Sequence, residues 1–574
     1  MNKHKPFLHF DFNGTSTTFE NPVEIITTDE IDQVVPSLAK IQDAIHNGYY
    51  AAGYVSYEAA PAFEQSMKVF DTNRMPLLWF GIYEGTSNIA NKSIGSFYTT
   101  DWKPNTSTEE YNRSINQIKT HIEYGETYQV NYTIRMDADF HGDPFAYYQQ
   151  LASSQSANYS AYLDIEGFSV LSASPELFFH LKEGKITTKP MKGTIGRGNT
   201  IIEDQENAKW LSQSEKNRAE NVMIVDLLRN DLGKLAKPGS VKVPELFTIE
   251  KYPTVFQMTS TVTGEIDNEI GIVDIFNALF PCGSITGAPK ISTMNIIHDQ
   301  ETTPREVYCG AIGFITPEQE AIFNVPIRTV VIDDNGQATY GVGGGITWDS
   351  KEDEEYNEVL TKAKVLSNAN NDFQLIETIG LFDGDYLVLD NHLRRLQRSA
   401  SYFKFQFNQE QLMEMLHDIA NRHPDGNFRV RVLLYPNGEL AVDVTKEEAV
   451  VNDGKPVSLA KHAAFQDDIF LYHKTTNRIV YEKLLGEVDD VFDVLLWNEH
   501  HEITEFTRGN VVVELAGKLY TPPVQSGLLA GTYREKLLNE GTISERVIRI
   551  EELSNCSKIW FINSVRQWVL VHLA

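Results

Sequence analysis

The sequence predicts an α+β fold with large antiparallel sheets and helices, followed by a separate mixed α/β domain. Three observations carry that reading. The chain has 574 residues, too many for one hydrophobic core, so two or three domains are expected. Its first part holds extended, alternating runs at 159–163, 169–171, 177–181 and 321–332, interrupted by long helical patterns, and this mixture points to antiparallel strands with helices. The short polar segment 367–372 separates a helical pattern, 352–366, from a new strand-like run, 373–379. Asn and Asp favour turns over helix continuation, so the main domain break is expected there.

The remaining 373–574 is long enough for an independent domain. It mixes strands at 428–435 and 491–497 with helices at 391–403 and 409–422. Hydrophobic residues make up 41% and charged residues 22%, the balance of an ordinary globular protein. The net charge of −29 argues against nucleic acid or an anionic membrane as partner. An anionic substrate then needs a local cluster of donors. The three cysteines, Cys282, Cys309 and Cys556, do not make a disulfide framework and suit a reducing compartment. No apolar h-region follows Met1, and no stretch approaches about 18 apolar residues. A cytoplasmic protein is expected.

Residues 214–234 read as a helix, with Ser214 as N-cap and Gly233 as its stop. Met223, Ile224 and Leu227 form an apolar stripe, and Glu220 falls on the same face. A carboxylate there is costly unless paired or bound to a cation; equally, a Glu at the stripe's edge can reach solvent. On 351–366, Glu355 and Glu358 lie one turn apart beside Val359 and Ala363. Just before stands Gly341-Val342-Gly343-Gly344-Gly345, whose backbone N–H groups could meet an anion in a loop. A flexible loop without that role has the same pattern. The run Gly283-Ser284-Ile285-Thr286-Gly287-Ala288-Pro289-Lys290 leads into a helix and serves either as an anion-binding start or as a plain cap. Two inward carboxylate helices with a glycine loop suit a Mg²⁺ site that receives a carboxylate substrate.

Further runs complete a pattern: Ser174-Pro175-Glu176, Lys189-Pro190-Met191-Lys192-Gly193-Thr194, Arg218-Ala219-Glu220-Asn221, Asp226 to Asp231, Pro326-Ile327-Arg328-Thr329 and Glu355-Tyr356-Asn357-Glu358. In this order they resemble the chorismate-utilising enzymes over 101–366, with 1–100 similar only to that family's variable N-terminal part. The resemblance implies a large α+β fold, Mg²⁺ held by Glu220 and Glu358 with Glu355 ordering metal-bound water, and Glu176 as general acid and base. It implies that Thr286, Tyr308, Arg328 and the amides of Gly343, Gly344 and Gly345 hold the carboxylates of chorismate.

Lys192 separates branches of this family: anthranilate synthases carry a small residue there, and the aminodeoxychorismate synthase branch carries Lys. A lysine amine can attack C2 of chorismate and expel the C4 hydroxyl, leaving C4 open to ammonia. That requires a partly deprotonated amine, which burial favours. One position departs from the pattern: Gln257 stands where many relatives have His, and Gln cannot act as an acid or base near neutral pH. No nucleophilic Cys stands in a glutaminase-like setting, so ammonia is expected from a separate glutamine amidotransferase subunit or from solution.

In the second half, the run 472–478 containing Lys474, and Glu505 in Ile503-Thr504-Glu505-Phe506, read by default as surface features. Residues 528–532 lead into a helix at 533–538, a possible anion-binding start. Together with Asn391-His392-Leu393-Arg394-Arg395-Leu396 and Asn563-Ser564, these runs resemble the fold-type IV pyridoxal-phosphate family, and most closely its aminodeoxychorismate lyase branch. The resemblance implies a Schiff base between Lys474 and pyridoxal phosphate, and Glu505 on the pyridinium nitrogen. It implies phosphate held by Arg395, Ser564 and the amides of Thr532 and Tyr533. A homodimer through this half is a possibility that the family suggests. A fold-type IV aminotransferase is the competing reading, as is anthranilate synthase for the first half. A non-catalytic scaffold is disfavoured by the intact Lys192, Glu220, Glu358, Lys474 and Glu505.

Overall fold

The computed structural model describes residues 5–574 except 73, 88–92, 94, 156, 253–254, 367–372, 448–453, 467 and 489. The expected linker 367–372 therefore lies outside the described residues. The chain divides into two compact units: residues 1–197 with 206–371, and residues 198–205 with 372–574. No helix among the described residues is long and apolar enough to cross a membrane.

The first unit is built on two ten-stranded sheets. The first runs from Gln129–Gly142 through Gln337–Ile346, Thr329–Asp333, Phe168–Ser174 and Tyr159–Ile165 to Phe7–Phe12 and Thr15–Glu20. The second runs from Met191–Gly196 through Val255–Glu265, Lys185–Lys189, Leu177–Lys182, Ala321–Asn324 and Ala311–Ile315 to Tyr50–Val55, Leu78–Tyr83 and Glu24–Thr28. Alternation sets their inner faces. Phe10, Val170, Leu163 and Val331 of one sheet share a core with Tyr54, Ile312, Ile322 and Leu177 of the other, as sheet-on-sheet packing requires. Strands from before residue 101 thus belong to both sheets.

Helices cover the outer faces. Thr108–Glu123 starts in a capping box between Ser107 and Glu110. It packs Tyr111, Ile115 and Ile118 on the first sheet beside Val359 and Ala363 of Glu352–Ala363. Glu215–Gly233 has Ser214 as N-cap, its side chain accepting from Asn217 N–H. It packs Ile224, Val225, Leu228 and Leu232 into the core of the second sheet.

Two sequence expectations need correction. The run 321–332 is not one strand: Ala321–Asn324 and Thr329–Asp333 lie in different sheets. Pro326 and the positive φ of Arg328, 53°, turn the chain between them. The helical pattern 352–366 ends as helix at Ala363 and continues as a 3₁₀ turn, Lys364–Leu366.

The second unit joins a four-stranded antiparallel sheet to a mixed eight-stranded one. In the latter, Ile503–Phe506, Asp493–Trp497, Lys455–Leu459, Gln567–Leu573, Lys558–Asn563 and Gly509–Leu515 follow one another, and the first and last pair, closing a ring. Val457, Leu495, Phe506, Val511, Val513 and Phe561 fill it. Helices Leu389–Phe403 and Gln409–Arg422 pack Leu393, Leu396, Leu412 and Leu416 against the smaller sheet.

Candidate active sites

Lys192 lies on Met191–Gly196, which pairs with Val255–Glu265 in a register that slips between Met191 and Thr194. The slip is a bulge over Lys192 and Gly193, and Gly193 takes the positive φ of 87° that a side chain resists. Gln257, on the facing strand, donates from Nε2 to the Gly193 carbonyl at 3.0 Å and accepts from Thr194 Oγ1 at 2.9 Å. Both ends of its amide are committed to the scaffold just beyond Lys192. In a bulge that removes ladder bonds, this amide supplies substitutes. That gives Gln257 a structural use which needs no titrating group.

The side chain of Lys192 reaches the strand Gln337–Ile346. A Cβ added to Gly345 would stand 2.8 Å from its Nζ and 2.0 Å from Gln129 Nε2. Gly343, Gly344 and Gly345 are therefore not the expected loop. They oppose Thr133, Tyr132 and Asn131 in a continuous antiparallel ladder, and glycine there permits close approach. A Cβ on Gly343 would meet the Tyr132 carbonyl at 2.1 Å, and one on Gly344 would reach Glu355 Oε2 at 3.4 Å. Gly345→Ala is expected to destabilise the unit by about 1–3 kcal/mol and to displace Lys192. Thermal unfolding checks this; no change would show that the close approach is dispensable.

Glu176 is 3% exposed, and its Oε1 is buried with no hydrogen-bond partner among the described residues. Burial lifts its pKa to about 7, against the pull of a Ser284 hydrogen bond and the charges of Lys192 and Arg328. Lys192 moves the other way. Desolvation lowers its pKa, with Glu220 and Glu176 opposing and Lys362 assisting. A carboxyl whose pKa rises and an amine whose pKa falls thus lie within reach of each other's charge.

Glu220 sits at the edge of its helix's buried face, which is formed by Asn221, Ile224, Val225, Leu228, Asp231 and Leu232. Met223 and Leu227 are half-buried, so the buried stripe is rotated from the expected one. Desolvation raises the Glu220 pKa, and Glu358 and Asp349 add to it while Lys192 and Lys216 oppose. Glu355 is raised by desolvation and by Glu358, with a Ser350 hydrogen bond opposing. Glu358 is half-exposed and held low by Lys362, to which it pairs at 2.8 Å. Lys362 also donates to the Gly343 carbonyl at 2.8 Å. Motif reading missed this lysine; its i+4 spacing from Glu358 was the available signal. Among the described residues no three or more His, Cys, Asp or Glu side chains gather as metal ligands.

Thr286 is buried, its hydroxyl donating to the Cys282 and Gly283 carbonyls, both at 3.2 Å. Tyr308 is buried against the Arg135 guanidinium, 5.2 Å from its ring centroid, and a Cβ on Gly341 would meet that ring at 2.4 Å. Arg328 donates to Gln155 Oε1. The Gly283–Lys290 segment is a 3₁₀ turn and a two-residue strand before the helix Lys290–Gln300. Lys290 is spent on Asp231 at 2.8 Å and the Leu279 carbonyl at 3.1 Å.

In the second unit, burial and then Arg395 lower the Lys474 pKa to about 8, with Glu377 and Glu505 opposing. Glu505, 3% exposed on Ile503–Phe506, accepts from Tyr481 Oη at 2.8 Å and Leu529 N–H at 3.1 Å on Oε1, and from Asn510 Nδ2 at 3.3 Å on Oε2. Burial nevertheless lifts it to about 7. Arg478 covers the Tyr481 ring at 4.7 Å. Arg395 donates from Nε and Nη2 to Glu377 at 2.8 and 2.7 Å, and from Nη1 to the Ala530 carbonyl at 3.2 Å. Thr532 and Tyr533 open the helix Thr532–Asn539 behind the N-cap Gly531. Ser564 donates to the Thr378 carbonyl at 3.0 Å. Glu377, Tyr481 and Asn510 were not singled out by sequence; an isolated Glu in the apolar strand Leu375–Phe382 was the clue to the first.

Comparison with known families gives a different match for each half of the chain. Residues 87–368 match the chorismate binding enzyme family, and residues 374–574 match the class IV amino-transferase family. Two different enzyme families thus match successive parts of the chain, neither over half of its length. It is 41% identical over 264 residues to aminodeoxychorismate synthase component 1 of Salmonella typhimurium, covering 46% of this chain and 58% of that protein. It is 37% identical over 269 residues to anthranilate synthase component 1 of Aquifex aeolicus, covering 47% of this chain and 54% of that one. The chain therefore spans a little over half the length of these curated relatives. The crystal structure of anthranilate synthase component I from Streptococcus pneumoniae is 25% identical, with a TM-score of 0.53, covering 64% of this chain and 93% of that one.

Proposed function

We propose that the first unit converts chorismate and ammonia into 4-amino-4-deoxychorismate and water, and that the second eliminates pyruvate from that product to give p-aminobenzoate, a folate precursor. The observation that carries this reading is Lys192: an amine with a lowered pKa, in the pocket of a carboxyl lifted to about 7. The Lys192 amine adds to C2 while Glu176 protonates the departing C4 hydroxyl, which leaves as water. Ammonia then adds at C4, and the bond from C2 to Lys192 breaks, returning the amine. Arg328, Tyr308, Thr286 and the strand amides at Gly343, Gly344 and Gly345 are the groups assigned to the substrate's carboxylates.

Glu358 raises the cost of the Glu220 charge, which a cation would relieve, and both offer the oxygen donors that Mg²⁺ prefers. With no third ligand gathered among the described residues, such an ion would keep waters, one of them ordered by Glu355, and polarise a substrate carboxylate. Ammonia comes from a separate glutaminase subunit or from solution. In support, burial pushes Cys282 and Cys309 to about 12 and about 11, far from the thiolate that a glutaminase uses.

The second unit fits pyridoxal phosphate. The carboxyl of Glu505, buried and near neutral pKa, suits a pyridinium N–H. Arg395, Ser564 and the helix start at Thr532 and Tyr533 suit the phosphate. Bound there, the group acts as an electron sink next to the substrate's amine-bearing carbon. Lys474, lowered to about 8, is then the base that takes the proton from C4 as pyruvate leaves and the ring becomes aromatic. Tyr481 and Asn510 hold Glu505 in place.

The similarity to an anthranilate synthase favours a second reading, with anthranilate as the first product. Incubating the purified chain with chorismate, Mg²⁺ and ammonium decides between them. We expect p-aminobenzoate and pyruvate in equal amounts; anthranilate in their place would refute the proposal. Because Glu176 holds its proton up to about pH 7, kcat/KM for chorismate should fall as pH rises past that point. Glu176→Gln should cost about 10²–10⁴-fold and remove that limb. An unchanged alkaline limb in this variant would reassign the acid.

A further inference from the structure

We propose that Glu377 is the positioning residue of the phosphate cup in the second unit: it holds Arg395 directly and Thr532 through His392, so that Thr532 offers an anion its backbone N–H and not its hydroxyl proton. This rests on the reading of that unit as a pyridoxal-phosphate site and adds a residue to it. Glu377 stands on the strand Leu375–Phe382, 2% exposed. Its Oε1 accepts from Arg395 Nε and its Oε2 from Arg395 Nη2. The same Oε2 lies 2.5 Å from His392 Nδ1, and His392 Nε2 lies 3.1 Å from Thr532 Oγ1. One buried carboxylate therefore ties together the arginine and the helix start on which the cup is built.

Proton counting fixes the roles. A carboxylate that accepts two parallel bonds from a guanidinium is ionised, so His392 must donate from Nδ1. A neutral imidazole then has only a lone pair at Nε2, and Thr532 Oγ1 must donate to it. The hydroxyl proton is consumed inside the protein. What remains for an anion is the Thr532 amide, at the positive end of the helix Thr532–Asn539. Desolvation lowers the His392 pKa, in keeping with a neutral ring. On Arg395, Nε–H and one Nη2–H are spent on Glu377 and one Nη1–H on the Ala530 carbonyl. Of its five donors, two remain, one on each terminal nitrogen, and the plane that carries them is locked.

Glu377→Gln keeps the shape and removes the charge. It gives up the paired acceptance and can donate to Nδ1, which would reverse the tautomer and free the Thr532 hydroxyl. The full chain, stripped of cofactor and titrated with pyridoxal phosphate, is followed by visible absorbance and by ³¹P NMR of the bound phosphate. For Glu377→Gln we expect affinity weakened about 10- to 100-fold and a displaced ³¹P resonance, with Glu377→Asp recovering part of both. Thr532→Val, which keeps the amide but cuts the tie to His392, should weaken affinity by less than Glu377→Gln, because Arg395 stays held. Wild-type values for Glu377→Gln, or a loss in Thr532→Val equal to that in Glu377→Gln, would overturn the proposal. If Glu377→Gln does not fold, Glu377→Asp is read by the same two signals, and wild-type values in it would overturn the proposal. If the wild-type chain itself takes up no pyridoxal phosphate, the underlying reading of the unit has failed, and that outcome is distinct from the others.

Discussion

Lys192→Ala is expected to lower the formation of 4-amino-4-deoxychorismate by about a thousandfold or more, the scale seen when a covalent nucleophile is removed. Alanine leaves the second unit untouched, so the variant should still release p-aminobenzoate when supplied with 4-amino-4-deoxychorismate. The size of the effect follows from the site. Lys192 is lifted from the strand by a bulge that Gln257 holds, and it is aimed at the Gly345 strand. Desolvation lowers its pKa, which eases loss of its proton. Lys362, an amine near enough to act on it, is occupied by Glu358 and the Gly343 carbonyl and is poorly placed to substitute. Lys192→Arg keeps the charge but always stays protonated, and should be nearly as inactive as alanine. Coupled detection of the amino product checks both variants; a loss of less than about tenfold in either would remove Lys192 from the chemistry.

Lys474→Ala is expected to stop the pathway one step later. Chorismate should still be consumed, 4-amino-4-deoxychorismate should accumulate, and p-aminobenzoate release should fall about 10⁴-fold or more. The visible band of lysine-bound cofactor should vanish. Lys474 has the properties of a base poised for this work: burial and Arg395 lower it to about 8, so a useful fraction is neutral near physiological pH. Chromatography of the products with an absorbance scan of the protein tests both statements. Normal p-aminobenzoate release by this variant would show that the second unit is not the lyase.

Much of this was legible in the sequence, and the exceptions have physical causes. The helix at 215–233 was readable because Ser214 caps it and its apolar residues recur at helical spacing. The helix Gln409–Arg422 appeared with its exact limits for the same reason. The glycine run at 341–345 misled because glycine signals a loop in isolation. Here it permits a strand to pass within van der Waals range of Tyr132, Tyr308 and Lys192, a demand set by neighbours more than 140 residues away in some cases. For Glu220 the sequence leaves open the apolar face or its edge, and the fold decides for the edge, with Asn221 on the buried face.

The partners of the candidate site residues were harder still. Lys474 and Glu505 were identifiable by motif, but Tyr481, Asn510 and Glu377, which orient Glu505 and Arg395, belong to no run that singles them out. Their signal is a polar group enclosed by apolar sequence, and only the fold decides which polar group it meets. Gln257 shows the converse. Sequence marked it as a departure from the family pattern, and the bulge at Gly193 supplies the reason that an amide suffices there.

The account rests on the Lys192 amine directing nitrogen to C4, and mass spectrometry of the protein tests it most directly. The chain is held with chorismate and Mg²⁺ in the absence of ammonia, quenched, and digested. A peptide containing Lys192 is expected to have grown in mass by chorismate less one water, and to lose that gain when ammonium is added before the quench. An active enzyme that never carries this adduct, or carries it on another residue, would contradict it.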